Sequence, residues 1–305
     1  MTDTTFQAAR ESIAVGSKSF AMAARFLPAD MYQDCVMLYA WCRHADDVID
    51  GQQAGFAARA VDDPTARLAE LRAETQRALD GAPSAPVYAG LARVMQARDI
   101  PHRHVDELLA GFAMDVDGRV YHDMNDLLDY CYHVAGVVGV MMARIMGIRD
   151  EAVLDRASDL GLAFQLTNIA RDVIDDARIG RVYLPRNHLA AEGIAQIDPD
   201  DPSQRDALHR VALHLLTEAE QYYQSADIGI AALPRRPALA IAAARNIYRQ
   251  IGVKLRATGP KAWDGRLSTT KGEKLRLAAK AAGSTVLALR RRPQPVDRSG
   301  LFSRP

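Results

Sequence analysis

Apolar residues recur at helical spacing along nearly the whole chain, and prolines divide this pattern into segments of helix length. The breaks fall at Pro28, Pro64, Pro83, Pro86, Pro101, Pro185, Pro199, Pro202, Pro234, Pro237 and Pro260. The pattern predicts helices over roughly 5–26, 30–50, 65–80, 86–98, 102–118, 123–147, 150–177, 203–230, 236–257 and 269–291. No run of alternating β-branched residues indicates a strand. The sequence therefore predicts an all-α protein.

The ends of these segments indicate how the chain is organised into domains. Asp30 is a candidate N-cap for the second helix, and Gly51 stands where a C-terminal glycine is expected. No period of 20–50 residues repeats, which argues against a solenoid. We expect one helical domain over 1–291. Residues 292–305 contain three prolines and little apolar content, and are predicted to be a disordered tail.

Composition bounds the class of protein. The 305 residues are 49% hydrophobic and 25% charged, as in a soluble globular protein. No apolar run reaches the ~18–20 residues of a membrane span, and the first residues lack a secretion signal. We therefore expect a cytoplasmic protein.

Charge is balanced overall but unevenly distributed. From Pro234 onward there are 17 Lys and Arg residues against 3 Asp and Glu, a net charge of +14. This polarity favours contact with phosphates or lipid headgroups. Nucleic acid is not expected as a partner, because no recognisable reading motif accompanies the charge.

Two acidic clusters follow strongly apolar runs: Asp46-Asp47-Val48-Ile49-Asp50 and Asp172-Val173-Ile174-Asp175-Asp176. Each places carboxylates at i and i+4, on one face of a helix. Such like-charged pairs destabilise an isolated helix by about 0.2–0.5 kcal/mol. Carboxylates at the end of a buried helix need cations, and paired oxygen ligands suit Mg²⁺ completed by water and substrate phosphates. The clusters predict a metal–diphosphate site.

Each cluster lies at the C-terminal end of a polar stripe on an otherwise apolar helix. The first stripe holds Tyr39, Arg43, Asp46 and Asp50, and the second Gln165, Asn168, Asp172 and Asp176. Aromatic and amide groups replace the Lys and Glu of a solvated face. Facing each other, the stripes would line a cavity with carboxylates at its mouth. Arg43, Arg171 and Arg181, with Tyr183, are placed to meet a diphosphate, since Arg binds phosphate oxygens in a bidentate manner.

Two other features carry weaker signals. Asp115-Val116-Asp117-Gly118 is superficially similar to a calcium loop, but the remaining EF-hand positions are absent. Ala135, Gly136 and Gly139 form a small-residue block. From spacing alone, that block fits a close helix contact and room for an apolar ligand equally well.

Taken in order, four sequence blocks resemble the squalene/phytoene synthase family, most closely its bacterial phytoene-forming members. The resemblance runs from about Phe6 to Arg256. The blocks are Ser17-Lys18-Ser19-Phe20; Tyr39-Ala40-Trp41-Cys42-Arg43 leading into the first cluster; Tyr130-Cys131-Tyr132-His133-Val134-Ala135-Gly136; and Gln165 through Asp176 followed by Gly180-Arg181-Val182-Tyr183-Leu184-Pro185.

The resemblance implies an isoprenoid synthase bundle around a central active-site cavity. The implied reaction, the first committed step of carotenoid biosynthesis, joins two molecules of geranylgeranyl diphosphate head-to-head. It passes through a cyclopropyl diphosphate to phytoene and needs Mg²⁺ or Mn²⁺ but no NADPH. Because the implied substrate and product are lipids and the C-terminal third is basic, we expect a membrane surface as a partner, together with neighbouring carotenoid-pathway enzymes. We expect a peripheral position on the inner face of the membrane, with 271–292 as the contact.

The resemblance also implies residue roles. Asp46, Asp50, Asp172 and Asp176, with Asn168, would hold the metal ions. Diphosphate contacts would come from Ser17, Ser19, Arg43, Arg171, Arg181 and Tyr248. The reaction centre would be lined by Phe20, Tyr39, Tyr130, Gln165 and Tyr183, and Tyr130 or the departing diphosphate would take the final proton.

Three alternatives stay open at this point. Squalene or dehydrosqualene formation from farnesyl diphosphate differs in cavity depth, although the Arg-rich, Pro-rich end of this chain differs from an apolar membrane anchor. A prenyl elongase or terpene cyclase would also carry an Asp-Asp-x-x-Asp motif, which residues 46–50 satisfy. A non-catalytic assembly factor would be expected to have lost some of the four carboxylates.

Overall fold

The computed structural model describes residues 4–16, 24, 26–51, 63–265, 267–288 and 297–305, and within these ranges it is helical with no strand. The α-helices are α1 (Thr4–Gly16), α2 (Ala29–Asp50), α3 (Pro64–Leu79), α4 (Pro86–Arg98), α5 (Arg103–Val116), α6 (Met124–Cys131), α7 (Val137–Ile145), α8 (Glu151–Arg178), α9 (Arg186–Ala191), α10 (Arg205–Ala232), α11 (Arg235–Thr258) and α12 (Lys271–Ala288). Short 3₁₀ turns cover Pro202–Gln204 and Gly259–Trp263. The predicted all-α class is confirmed.

The first acidic cluster lies at the C-terminal end of helix α2, and the middle of this helix is buried in the core. Its central residues, from Cys35 to Leu38 and Trp41, are fully buried. Gly51 ends the helix in the left-handed conformation (φ 60°), as predicted, and its N–H donates to the Asp47 carbonyl. The predicted Asp30 cap is wrong: the N-cap is Pro28, and Asp30 lies in the first turn, where Arg98 donates to it at 3.1 Å.

The segment predicted as one helix over 123–147 contains a π-helical turn, Tyr132–Gly136, between α6 and α7. Such turns often occur at functional sites. This turn packs against α8 with almost no space between the backbones. A Cβ added at Gly161 would lie 2.3 Å from the carbonyl oxygen of Ala135, and one at Gly139 would lie 2.3 Å from that of Ala157. The small-residue block therefore serves a close helix contact.

Helix α8 is the central element. It packs on α7, the π turn, α10 and α11, and buried apolar residues run along it from Leu154 to Ile174. Asp150 caps its N-terminus by accepting from the N–H of Ala152 at 2.9 Å. The second acidic cluster lies at its other end.

The last nine residues, 297–305, are folded against the bundle, so the predicted disorder does not hold for this part of the tail. Arg298 donates to both carboxylate oxygens of buried Asp159 at 2.8 Å, and Phe302 packs on Tyr132 with ring centroids 5.9 Å apart. A segment with low apolar content is expected to be disordered when it has no partner on the folded domain. Here buried Asp159 is a partner, so the segment is ordered. Residues 292–296, also in that prediction, lie outside the described residues.

Within the ranges that the structure describes, no helix is both long enough and apolar enough to cross a membrane.

Candidate functional site

A cavity of about 250 Å³ lies between α2, the π turn, α7, α8, α10 and α11. Its walls are mostly aliphatic or formed by small residues. Apolar lining residues include Val134, Val138, Met142, Met146, Val153, Leu160, Phe164, Ile230, Leu233 and Ile241. Ala135, Gly139 and Gly161 also line it, so the small-residue block makes room for the cavity as well as for the helix contact. The cavity suits an apolar ligand.

Apart from Arg156, the polar groups of the lining lie toward the C-terminal end of α8. Tyr39 of α2, Gln165 and Asn168 of α8 and Tyr248 of α11 belong to its lining. Because Asp172 and Asp176 follow Asn168 by one and two helical turns, α8 leads directly from the apolar wall to its carboxylates. The two predicted stripes thus meet at one cavity through Tyr39 on one side and the two amides on the other.

Each carboxylate pair is held by arginines. Arg43 donates to Asp46 at 2.5 Å, and Arg171 donates to Asp172 through Nε at 2.6 Å and through Nη2. Arg181, in the loop after α8, donates to Asp50 of α2. This last ion pair joins the first cluster to the loop that follows the second, and its two residues are 131 positions apart in sequence.

The electrostatics of the clusters reflect crowding of like charges. Burial and the neighbouring Asp172 raise the pKa of Asp176 to about 8. Burial and Asp50 raise the pKa of Asp46 to about 7. Both clusters also lie at helix C-termini, where the helix dipole disfavours negative charge. Bringing additional cations to this site would relieve the repulsion.

Tyr130 and Tyr183 lie beside the Asp50–Arg181 ion pair and are absent from the described lining of the large cavity. Their rings stack with centroids 5.0 Å apart. Both hydroxyls donate to the carboxylate of Asp115, at 3.0 Å and 2.9 Å respectively. From the sequence, Asp115 was interpreted only as part of a poor calcium loop. Its signal, an acidic residue in the last turn of an apolar helix, is too common to identify it.

Aromatic rings border the polar end of the cavity. Phe164 stacks on Tyr248 with centroids 4.2 Å apart, and Tyr39 lies in the same lining. Tyr248 and Tyr39 were predicted from the sequence. Phe164 was not, because in an apolar run it is indistinguishable from a core residue. The three predicted residues Ser17, Ser19 and Phe20 lie outside the described residues.

The donor set fits a divalent metal. The side-chain oxygen of Asn168 is buried and has no hydrogen-bond partner among the described residues. It lies one turn before Asp172, so an amide oxygen and carboxylates share one helix face. In the described part of the chain no three acidic, His or Cys side chains form a ready-made metal cage. Small carboxylate sets match Mg²⁺, which usually retains waters and binds substrate phosphates.

Comparison with known proteins agrees with this geometry. A family model described as squalene/phytoene synthase matches residues 13–273. A 15-cis-phytoene synthase from Paracoccus sp. (strain N81106 / MBIC 01143) is 54% identical over 97% of this chain and 96% of its own length. One from Pantoea ananas is 51% identical over 97% and 96%. A crystal structure of a dehydrosqualene synthase in complex with ligand superposes with a TM-score of 0.83 at 28% identity, over 93% of this chain and 97% of that chain. The chain belongs to the squalene/phytoene synthase family.

Proposed function

We propose that this prenyltransferase condenses two molecules of geranylgeranyl diphosphate head-to-head, through a cyclopropyl diphosphate, into phytoene, at the start of carotenoid biosynthesis. The observation that carries the proposal is the continuity of α8. One face of this helix lines the apolar cavity from Val153 to Phe164 and then presents Asn168, Asp172 and Asp176. A prenyl diphosphate has the same two parts, an apolar chain and an anionic head. Relatives named 15-cis-phytoene synthase at 51–54% identity favour this product over the C30 alternatives.

The cavity walls protect a reactive intermediate. Loss of diphosphate from an allylic carbon leaves a carbocation, which water would capture, so an apolar wall is needed to exclude solvent. Tyr39, Phe164 and Tyr248 offer ring faces that stabilise a cation by about 0.5–2 kcal/mol each. The second prenyl chain then attacks within the same cavity.

The carboxylates and Asn168 would hold Mg²⁺ or Mn²⁺. When bound, such ions act as Lewis acids that neutralise the departing diphosphate and fix its position. The carboxylate residues would be Asp46 and Asp50 from α2, and Asp172 and Asp176 from α8. The raised pKa values of Asp46 and Asp176 are consistent with a site that is completed by cations.

Arg43, Arg171 and Arg181 would contact the diphosphate oxygens. All three currently bind carboxylates of the clusters. Guanidinium groups pair with phosphate as well as with carboxylate. Each can therefore exchange an Asp partner for the substrate once the carboxylates are engaged elsewhere, and Ser17, Ser19 and Tyr248 remain proposed contacts.

The decisive experiment offers the purified protein C15 and C20 allylic diphosphates with Mg²⁺, without NADPH, and identifies the extracted hydrocarbon. A C40 triene from the C20 substrate is expected. A C30 product formed only from the C15 substrate would reject geranylgeranyl diphosphate and place the protein with dehydrosqualene synthases. No hydrocarbon from either substrate would reject the enzymatic proposal in favour of an assembly role.

A matched pair of variants tests the carboxylates. Asp172→Asn should lower diphosphate release at least about a hundredfold, since it removes a charged ligand from the reacting centre. Asp175→Asn is the control, because Asp175 lies in the same cluster but is exposed and pairs only with Arg178 in the described structure. Equal activity of the two variants would contradict the site assignment.

We also propose peripheral association with the inner face of the membrane, with neighbouring pathway enzymes as further partners, because substrate and product are lipids. Of the proposed contact, 271–292, the described part is α12. Exposed Arg276 and Lys280 share one face of this helix, beside Leu275, which is 70% exposed. Each basic residue near an anionic surface contributes about 1 kcal/mol. Replacing both Arg276 and Lys280 by Gln should weaken co-sedimentation with anionic vesicles, while Arg72→Gln on α3 should not. Equal co-sedimentation of all three proteins would reject this contact.

A further inference from the structure

Three tyrosines from separate parts of the chain converge at the end of α5. Tyr121, Tyr130 and Tyr183 are 2%, 3% and 9% exposed. The centroid of Tyr121 lies 5.3 Å from that of Tyr130 and 6.0 Å from that of Tyr183. Backbone hydrogen bonds from Arg186 to Tyr121 and from Asn187 to His122 hold the two loops side by side. The cluster is therefore a fixed part of the fold.

Asp115 is the polar centre of this cluster. Its Oδ2 accepts from the Tyr130 hydroxyl and its Oδ1 from the Tyr183 hydroxyl. Both oxygens of Asp115 are thus engaged by phenols. Hydrogen bonds to a charged acceptor are stronger than neutral ones, so Asp115 determines where both phenol oxygens point.

The same residue controls the loop that joins the two acidic clusters. Tyr183 lies two residues after Arg181, which donates to Asp50 across the mouth of the site. Because Asp115 anchors the Tyr183 hydroxyl, it also fixes the stretch of loop that delivers the Arg181 guanidinium. One carboxylate thereby sets the positions of two phenols and, through the backbone, one cation.

We propose that Asp115 is a positioning residue for the head-to-head condensation, acting through Tyr130 and Tyr183. The proposal rests on the proposed function. Without the anchor, the phenols and the Arg181 loop gain freedom beside the reacting centre. A displacement of about 1 Å there can lower a rate about a hundredfold. The looser site would also admit water, which captures the carbocation to give an alcohol and a proton.

The test compares Asp115→Asn with Asp117→Asn, an exposed residue two positions along the same chain segment. Asn keeps the shape of Asp and one acceptor but loses the charge and one hydrogen bond. We expect Asp115→Asn to lower kcat about tenfold to a hundredfold with KM changed less than threefold, and to raise the fraction of prenyl alcohols and released cyclopropyl diphosphate. Asp117→Asn should match the wild type. A wild-type product profile from Asp115→Asn would overturn the proposal.

Combining variants separates positioning from a general structural role. In a Tyr130→Phe/Tyr183→Phe background, Asp115 has no phenol to orient, so Asp115→Asn should change kcat less than twofold further. A tenfold or larger further loss would refute positioning through these tyrosines. If Asp115→Asn does not fold, Tyr130→Phe and Tyr183→Phe remove the same bonds from the other side, and normal product profiles from both would reject the proposal.

The wild-type product assay distinguishes this proposal from the proposed function. A wild-type C30 product would reject the C20 substrate while leaving the Asp115 comparison measurable with the C15 substrate. Absence of any wild-type hydrocarbon would reject the enzymatic function, and with it the role of Asp115.

Discussion

At the scale of single residues, the carboxylates of the two clusters are placed where electrostatics opposes them. Asp46 and Asp176 stand near a second carboxylate at the C-terminal end of a helix, partly shielded from water. Arg43, Arg171 and Arg181 offset burial and this repulsion only in part, because the pKa values of Asp46 and Asp176 stay raised. The site stores an unfavourable interaction that binding of cations can relieve.

This arrangement predicts how metal-free stability depends on pH. The folded protein retains protons on Asp46 and Asp176 up to about pH 7 and 8, whereas the unfolded chain loses them near the ordinary Asp pKa of about 3.9. Since the folded state binds more protons between these values, stability falls as pH rises through that window. The Tm in EDTA should therefore decrease from pH 5 to pH 8.5, and the Tm gain from Mg²⁺ should increase.

Asp176→Asn should flatten the fall in Tm, because it removes one of the two raised groups. Asp175→Asn, an exposed neighbour, should keep the wild-type slope. Thermal unfolding at several pH values, with EDTA or Mg²⁺, measures the pH dependence of the Tm of both variants. Identical slopes for wild type and Asp176→Asn would contradict the assignment.

At the scale of elements, Gly161 of α8 makes one of the two tightest backbone approaches among the described glycines. A Cβ there would lie 2.3 Å from the Ala135 carbonyl oxygen and 2.7 Å from the Gly136 Cα, both backbone atoms of the π turn. Gly161→Ala should therefore destabilise the protein by about 1–3 kcal/mol, as overpacking does. Gly272→Ala on α12 meets nothing within 4 Å and should stabilise by up to about 1 kcal/mol through helix propensity. Urea unfolding measures the stability of both glycine variants. A Gly161→Ala variant as stable as the wild type would show that the helices can separate freely.

Sequence could predict the elements better than their internal irregularities. Helical spacing and proline breaks located α2 and α8 to within about two residues. The π turn escaped prediction because one extra residue in a helical turn leaves the apolar pattern nearly unchanged. The short helix α9, Arg186–Ala191, was also missed, since six residues are too few for a periodic signal.

In the candidate site, contacts within one helix could likewise be predicted better than contacts between distant elements. Contacts within one helix, such as Arg43 with Asp46, follow from i, i+3 spacing and were predictable as a shared face. The contact of Arg181 with Asp50, and those of Asp115 with two tyrosines, depend on how distant elements pack. No spacing in the sequence encodes them.

At the scale of the whole molecule, the C-terminal segment 297–305 ties together elements that form the cavity wall. Arg298 and Arg304 bind acidic residues of α8. Phe302 packs on Tyr132 of the π turn, and its N–H donates to the Tyr222 hydroxyl of α10 at 3.1 Å. The segment thus braces α8 from the side bearing Asp159 and Asp155, while the face bearing Ala157 and Leu160 lines the cavity.

Most of this bracing should come from Arg298. Its partner Asp159 has a side chain only 1% exposed and otherwise accepts only from Ser225 in the described structure. Arg298→Met would leave a buried carboxylate short of its cation, which costs about 3–5 kcal/mol. Arg304→Met is the matched control, because its partners Asp155 and Glu151 are 30% and 60% exposed and exposed pairs contribute about 0–1 kcal/mol.

The free energy of unfolding in urea at pH 7 distinguishes the Arg298→Met variant from the Arg304→Met variant. Arg298→Met should lose several times more stability than Arg304→Met, and adding Asp159→Asn to Arg298→Met should recover part of the loss by removing the buried charge. Equal small losses for the two arginine variants would mean that the C-terminal segment does not hold Asp159 in solution. A recovery with Asp159→Asn would instead identify the buried ion pair as the contact through which the end of the chain stabilises the central helix.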